Sequence, residues 1–216
     1  MHLETSNQPV TSLGFGNYTC NWGAHICGLY ETTQERDEII LGFLHTGAVQ
    51  GDLQLYCPVE RTEDNFCQTY AETYPQHAAQ VYDENVFQLF SAKELYFADG
   101  TFSPWDMDAA LQAFYAESQK DGKRSVRATA EMVWALKAIP GVEQLMAYEA
   151  RLNIFIPPKP WISICLYNTS RFDGAIIMQA LQTHPYVINS GIITQNPYYI
   201  KAEEWLEENA PQYLSH

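Results

Sequence analysis

The sequence predicts a three-layer α/β domain built on a mostly parallel sheet. Three observations carry that prediction. Apolar runs of strand length alternate with helix-period segments from Gly23 onward. The first strand, helix and strand fit within about 35 residues, the size of one parallel crossover unit. The 216 residues suit one domain with an added arm, and no internal repeat or low-complexity tract divides them. Residues 1–21, rich in Ser, Thr, Asn and Gln, read as an irregular N-terminal arm, and residues 22–216 as the domain.

The elements follow in order. His25-Ile26-Cys27-Gly28-Leu29-Tyr30 is a buried strand. Thr32 and Glu35 have capping-box spacing, and Ile39, Ile40, Phe43 and Leu44 form the apolar face of the helix behind them. Gly47 and Gly51 close it, and Leu53 to Val59 is the next strand. Residues 62–74 read as a helix and Val86 to Phe90 as a strand. Ser103-Pro104 starts a helix that runs toward Gly122. Ser125 to Ala130 is a strand, followed by a short helical stretch from Glu131 to Ala138 and a helix starting at Pro140. Trp161 to Tyr167 reads as the most buried strand, and Phe172 to Thr183 as a helix. Val187-Ile188 and Ile192-Ile193 flank a turn and predict a C-terminal hairpin, before an acidic helix over 202–209.

Composition excludes several classes. Apolar residues reach 46% and aromatics 13%, too many for a disordered chain. No apolar run is long enough for a transmembrane helix, and Met1 to Asn17 lacks the pattern of a signal peptide. The net charge of −14 disfavours nucleic acid as a partner. Residues 120–171 run against this balance, with eight basic and four acidic side chains, and offer either a solvated face or a docking surface. Five cysteines without a C-x-x-C pair read as free thiols of a cytoplasmic protein.

Ligands of parallel sheets sit beyond the C-terminal ends of the strands. The first such end is Tyr30-Glu31-Thr32-Thr33-Gln34-Glu35-Arg36. Its place between strand and helix is similar to that of the phosphate loop in RecA-like ATPases. It has no glycine and no lysine, and its two carboxylates repel a triphosphate. A RecA-like fold without a functional phosphate loop is therefore expected, without ATP hydrolysis. No G-x-S-x-G, H-E-x-x-H or strand-following G-x-G-x-x-G occurs, so no catalytic motif supports an enzyme.

Five segments in order carry a resemblance. They are His25 to Tyr30, Ala130 to Leu136, Tyr148 to Asn153, Thr183-His184-Pro185 and Asn196-Pro197-Tyr198-Tyr199. Together they resemble the MEDS domain, the methanogen/methylotroph sensory domain named in part for a dichloromethane-responsive repressor. The resemblance implies a degenerate RecA-like fold and the sensing of small molecules, proposed to be simple hydrocarbon derivatives. Family members stand alone or join DNA-binding or histidine-kinase modules. Nothing before residue 22 reads as a helix-turn-helix, so the DNA-binding role is not carried over.

Against that background the expected ligand pocket lies at the strand C-termini, lined by Tyr30, Glu131, Trp134, Cys165 and Tyr167. A carboxylate beside an indole binds a polar head and an apolar body together. The bland alternative is a helix-start acid at Glu131 and core packing for the rest. Asn196 is either a turn anchor or a hydrogen-bond donor to the ligand. His25 and Cys27 share a strand face and, with Cys57 or Cys165 beside them, are the sequence's metal candidates. Simple burial competes with that reading, and no resident metal or cofactor is expected. Glu149 and Asn153, four apart on one helix, read as a structural network. His184 reads as a helix C-cap that can approach His25 on the side away from the pocket. The expected function is a non-catalytic sensory domain that binds a small molecule and signals to a histidine kinase or transcription regulator. The alternatives are a ligand-free docking module, and a metal- or thiol-dependent redox sensor or enzyme. A homodimer is the base-rate expectation for assembly.

Overall fold

The computed structural model describes residues 2–3, 9–120, 122 and 124–214. In chain order the elements are β1 (His2–Leu3), β2 (Val10–Ser12), β3 (Thr19–Asn21), β4 (His25–Tyr30), α1 (Thr33–Gln50), β5 (Leu53–Cys57), α2 (Glu63–Thr73), β6 (Phe87–Leu89), α3 (Ala92–Tyr96) and α4 (Pro104–Ser118). Then come β7 (Val126–Glu131), α5 (Leu145–Phe155), β8 (Trp161–Asn168), α6 (Gly174–Gln182), β9 (Tyr186–Asn189), β10 (Ile192–Gln195) and α7 (Ala202–Asn209). The main sheet has seven strands in the order β10-β9-β4-β8-β7-β5-β6. Every pairing is parallel except the β9–β10 hairpin. The strand-helix alternation therefore yields the three-layer, mostly parallel α/β sheet that the sequence predicts.

Register decides which residues share a face. β8 is buried along its whole length, as a central parallel strand must be. Its odd positions, Trp161, Cys165 and Tyr167, enter one core with Cys27, Leu55, Cys57, Ala128 and Ala130, packed under α4, α5 and α7. Its even positions, Ile162, Ile164 and Leu166, enter the other core with Ile26, Tyr30 and Tyr56, packed under α1 and α2. Burying the helices' apolar faces against these two sheet surfaces supplies the main drive to fold, at roughly 25 cal/mol per Å² of apolar area.

Local signals hold where the sequence placed them. Thr32 caps α1, and the Thr32–Glu35 capping box forms in full. Gly51 ends the same helix in the left-handed conformation at φ 85°, whereas Gly47, expected to help close it, lies inside the helix. The stretch expected as an irregular arm instead carries three short strands, with β3 between β1 and β2. Residues 1 and 4–8 of that arm lie outside the described residues. The reason for its order is a buried cation. Arg127, fully buried, donates from Nε to Asp52 at 2.8 Å and from Nη2 to Thr11 and Gln50 at 3.0 Å each, so the small sheet is tied to α1 and β7.

Two further differences are local. The stretch after β7 is a 3₁₀ turn, Met132–Leu136, and the helix expected from Pro140 begins as 3₁₀ and becomes α-helical only at Leu145. Gly141 in the left-handed region, φ 88°, delays that start. The helix from Pro104 stops at Ser118, short of Gly122. Among the described residues no helix is long and apolar enough to cross a membrane.

Candidate functional site

The strand C-termini come first, because the pocket was expected there. Glu131 ends β7 and is fully buried. Its Oε1 accepts from the Tyr56 hydroxyl at 2.5 Å, and its Oε2 accepts from the backbone N–H groups of Val59 and Glu60 at 2.9 and 2.5 Å. Arg36 Nη1 stands 3.6 Å from the same carboxylate. Glu60 accepts from the Tyr30 hydroxyl at 2.6 Å and from Asn168 at 3.2 Å. Arg61 pairs with Asp37, which also meets Arg36 at 3.1 Å. This is a closed ion network that locks the β5–α2 loop against β4 and α1. Burial and the Glu131 charge push the Tyr56 phenol well above its usual range, so it stays a donor.

The start of α1 is closed in the same way. Glu35 Oε2 accepts from the N–H groups of Glu31 at 2.7 Å and Thr32 at 3.2 Å. A carboxylate of the chain itself thus takes amides that a phosphate would otherwise take.

The other face of the sheet holds a different arrangement. Glu149, on α5, is fully buried. Its Oε1 accepts from the Tyr167 hydroxyl at 2.7 Å. Its Oε2 lies 3.2 Å from His25 Nε2, 3.4 Å from His184 Nε2 and 3.4 Å from Cys165 Sγ. Cys165 Sγ is also 3.5 Å from His25 Nε2. Four segments supply these groups: the start of β4, the middle of β8, one turn of α5 and the second residue after α6. One donor atom from each of His25, Glu149, Cys165 and His184 lies within 4.8 Å of all the others. The His25 and His184 rings stack with centroids 4.0 Å apart.

The charges in this cluster follow from burial and from one another. The two imidazoles hold the Glu149 carboxyl well below the usual carboxylate range in spite of its burial. Burial, with His184 alongside, lowers His25 to about 4, so its neutral ring prevails at neutral pH. Burial and the Glu149 charge push the Cys165 thiol well up.

A cavity of about 30 Å³ adjoins the cluster on this face. Leu55, Met107, Leu111, Ala128, Tyr148 and Cys165 are among its walls. Cys165 therefore touches both the polar cluster and the apolar space.

The residues expected in one pocket are consequently divided. Tyr30 and Glu131 sit in the ion network on the α1–α2 face. Cys165 and Tyr167 sit on the opposite face, against Glu149. Trp134 is fully buried there too, stacked on Tyr96 at 4.4 Å, and serves the core. Asn196 donates from Nδ2 to the carbonyls of His184, at 2.7 Å, and Leu181, so it anchors its turn. His184 does approach His25, and it also makes the helix C-cap bond, from Nδ1 to the Ala180 carbonyl at 2.6 Å. Asn153 meets His25 Nδ1 at 3.2 Å, beside Glu149 as the i, i+4 spacing implies. Cys27 and Cys57 are buried near the cluster and lie outside the group of four. Glu60, Arg36 and Arg61 escaped the sequence reading, because no spacing shows that two loops meet around one carboxylate.

Comparison with known proteins places this geometry. The model of the family described as MEDS, the methanogen/methylotroph, DcmR sensory domain, matches residues 24–185. The transcriptional repressor DcmR of Methylorubrum extorquens is 22% identical over 161 residues, 74% of this chain. The chain spans 57% of that repressor's length. Among solved structures, the flagellar accessory protein FlaH from Methanocaldococcus jannaschii aligns with a TM-score of 0.50 at 15% identity, over 80% of this chain and 75% of its own. A KaiC-like protein from Pyrococcus horikoshii OT3 aligns with a TM-score of 0.53 at 12% identity, over 83% and 79%. These structures are RecA-like, and the chain shares that fold.

Proposed function

The chain belongs to the MEDS family, and on that premise we propose that it is a non-catalytic sensory domain whose ligand is a very small, mostly apolar molecule held beside Cys165. The observation that carries this reading is the cavity of about 30 Å³ walled mostly by aliphatic and aromatic side chains and by Cys165. A space of that size has room for roughly two or three heavy atoms. It suits a one- or two-carbon molecule, and a heteroatom on such a guest would face the polar groups around Glu149. The phosphate-binding function of the RecA-like frame has no support at the strand C-termini, where Glu35 and Glu131 occupy the backbone amides.

The signal is a shift between two arrangements of the groups around Glu149. His184 bonds the Ala180 carbonyl at the end of α6, and Asn196 grips the His184 carbonyl at 2.7 Å from the far side of the β9–β10 hairpin. Movement of His184 thus reaches the edge of the sheet, where Ile192 and Tyr198 stand more than half exposed. A regulator or kinase reading that edge is the proposed output.

The test is a melting-temperature screen of one- and two-carbon alcohols and haloalkanes against the native protein and Ala128→Leu, which fills the cavity. The reading expects a ligand that raises Tm in the native protein and not in the variant. Equal shifts in both, or none in either, overturn it.

A further inference from the structure

We propose that His25, Glu149, Cys165 and His184 form a four-ligand site for one divalent transition-metal ion, with Zn²⁺ the best match. This site stands on its own geometry and does not depend on the sensory reading.

Distances come first. Zinc bonds of about 2.0–2.1 Å to nitrogen or oxygen and about 2.3 Å to sulfur give tetrahedral edges of roughly 3.3 Å between N/O donors and roughly 3.5 Å to sulfur. The edges here are 3.2 Å for His25 Nε2 to Glu149 Oε2 and 3.4 Å for His184 Nε2 to the same oxygen. The two sulfur edges are 3.5 Å to His25 and 3.4 Å to Glu149. These four of the six edges agree with a tetrahedron around one cation to within about 0.2 Å, and the two remaining edges, from His184 Nε2 to His25 and to Cys165, are within 4.8 Å.

Proton placement is the second argument. The Ala180 carbonyl can only accept, so His184 Nδ1 carries a proton, which makes Nε2 the ring atom available to a metal. That Nε2 is buried and makes no hydrogen bond. Asn153 Nδ2 donates to the carbonyls of Glu149, Ala150 and Thr183, at 3.1, 3.3 and 2.7 Å, which fixes the orientation of its amide. Its Oδ1 therefore faces His25 as an acceptor, and His25 Nδ1 donates to it at 3.2 Å. Both rings thus turn Nε2, the ligand atom of an Nδ1–H imidazole, toward the same carboxylate oxygen. A positive charge shared between these atoms, a metal ion or a proton, satisfies that contact.

The supporting shell is that of a metal site. Ligating histidines usually donate their second ring N–H to a carbonyl or carboxylate, and ligating carboxylates are themselves hydrogen-bonded. His184 has Ala180, His25 has Asn153, and Glu149 has the Tyr167 hydroxyl. Two imidazoles, one thiol and one carboxylate make a borderline-soft donor set that favours zinc over calcium or magnesium. On binding, Cys165 gives up its thiol proton to solvent and bonds as thiolate.

The experiment measures metal in the full chain. Protein purified without chelator is analysed by elemental mass spectrometry, and metal-free protein is refolded from urea with Zn²⁺ or Co²⁺, because all four donors are buried. The expected result is one equivalent per chain, a raised Tm, and a thiolate-to-cobalt charge-transfer band in the near ultraviolet. Cys165→Ser should lose that band, and Asn153→Ala, which removes the bond that orients His25 together with the Asn153 bonds to the α5 and Thr183 carbonyls, should bind about 10–100-fold more weakly. Cys27→Ser should behave as native. The proposal is overturned by less than a tenth of an equivalent in both preparations. It is overturned equally by metal uptake that persists in Cys165→Ser and in a folded His184→Gln with unchanged stoichiometry and spectrum.

Discussion

Tyr167 donates its hydroxyl to Glu149 Oε1 at 2.7 Å, with both side chains fully buried. Water cannot replace a lost partner at that depth. Tyr167→Phe therefore removes one of the groups that stabilise the buried carboxylate, and should lower the unfolding free energy by about 1–3 kcal/mol. Urea denaturation measures it. A variant as stable as the native chain would show that this bond contributes nothing to holding the cluster.

Gly47 is predicted to be intolerant of any side chain. A Cβ there would lie 2.4 Å from Arg127 Cδ and 2.6 Å from Gln54 Nε2. Arg127 has no freedom to withdraw, since Asp52, Thr11 and Gln50 hold its head. Gly47→Ala, normally favourable within a helix, should here cost about 1–3 kcal/mol through overpacking. A stabilised variant would mean that the Arg127 anchor yields easily.

The amides before α1 bear on nucleotide binding. With Glu35 accepting from Glu31 and Thr32, a fluorescent ATP analogue with Mg²⁺ should show no saturable binding and should not raise Tm. Thr32→Ala, which removes the other half of the capping box, should cost about 1 kcal/mol. Saturable nucleotide binding at micromolar concentration would contradict the closed loop start.

Alkaline pH should weaken the fold. Burial raises Cys20 and Tyr70 each to about 12, and pushes Tyr56 and Tyr96 well up. The unfolded chain releases these protons near pH ~8.5 for cysteine and ~10 for tyrosine, so above that range the native state holds more protons than the unfolded one. Stability from these groups is complete below pH ~8.5 and declines as pH climbs toward 12. Urea midpoints measured from pH 8 to pH 11 should fall steadily. A flat profile would contradict the burial of these groups.

Much of the fold was legible, and the reason is local chemistry. Thr32, Glu35 and Gly51 set the limits of α1 by themselves, and the nearly unbroken apolar run from Trp161 to Tyr167 announced a strand buried on both sides. The candidate site was legible residue by residue and illegible as an assembly. Ala130 pairs with Cys165 across β7 and β8, which turns Glu131 and Cys165 to opposite faces. That register depends on strand order, which periodicity does not encode. The i, i+4 pair of Glu149 and Asn153 was visible, and so was the approach of His184 to His25. That Cys165 completes the group follows only from β8 lying beside β4.

The account stands on the space beside Cys165 being the place where a guest is held. A crystal structure of the protein under xenon pressure, or soaked with a hit from the small-molecule screen, tests this most directly. The account predicts guest density between Ala128, Tyr148 and Cys165. Density only at the Glu131 edge, or only in the groove beside Asn196 and Ile192, with the cavity collapsed, would contradict it.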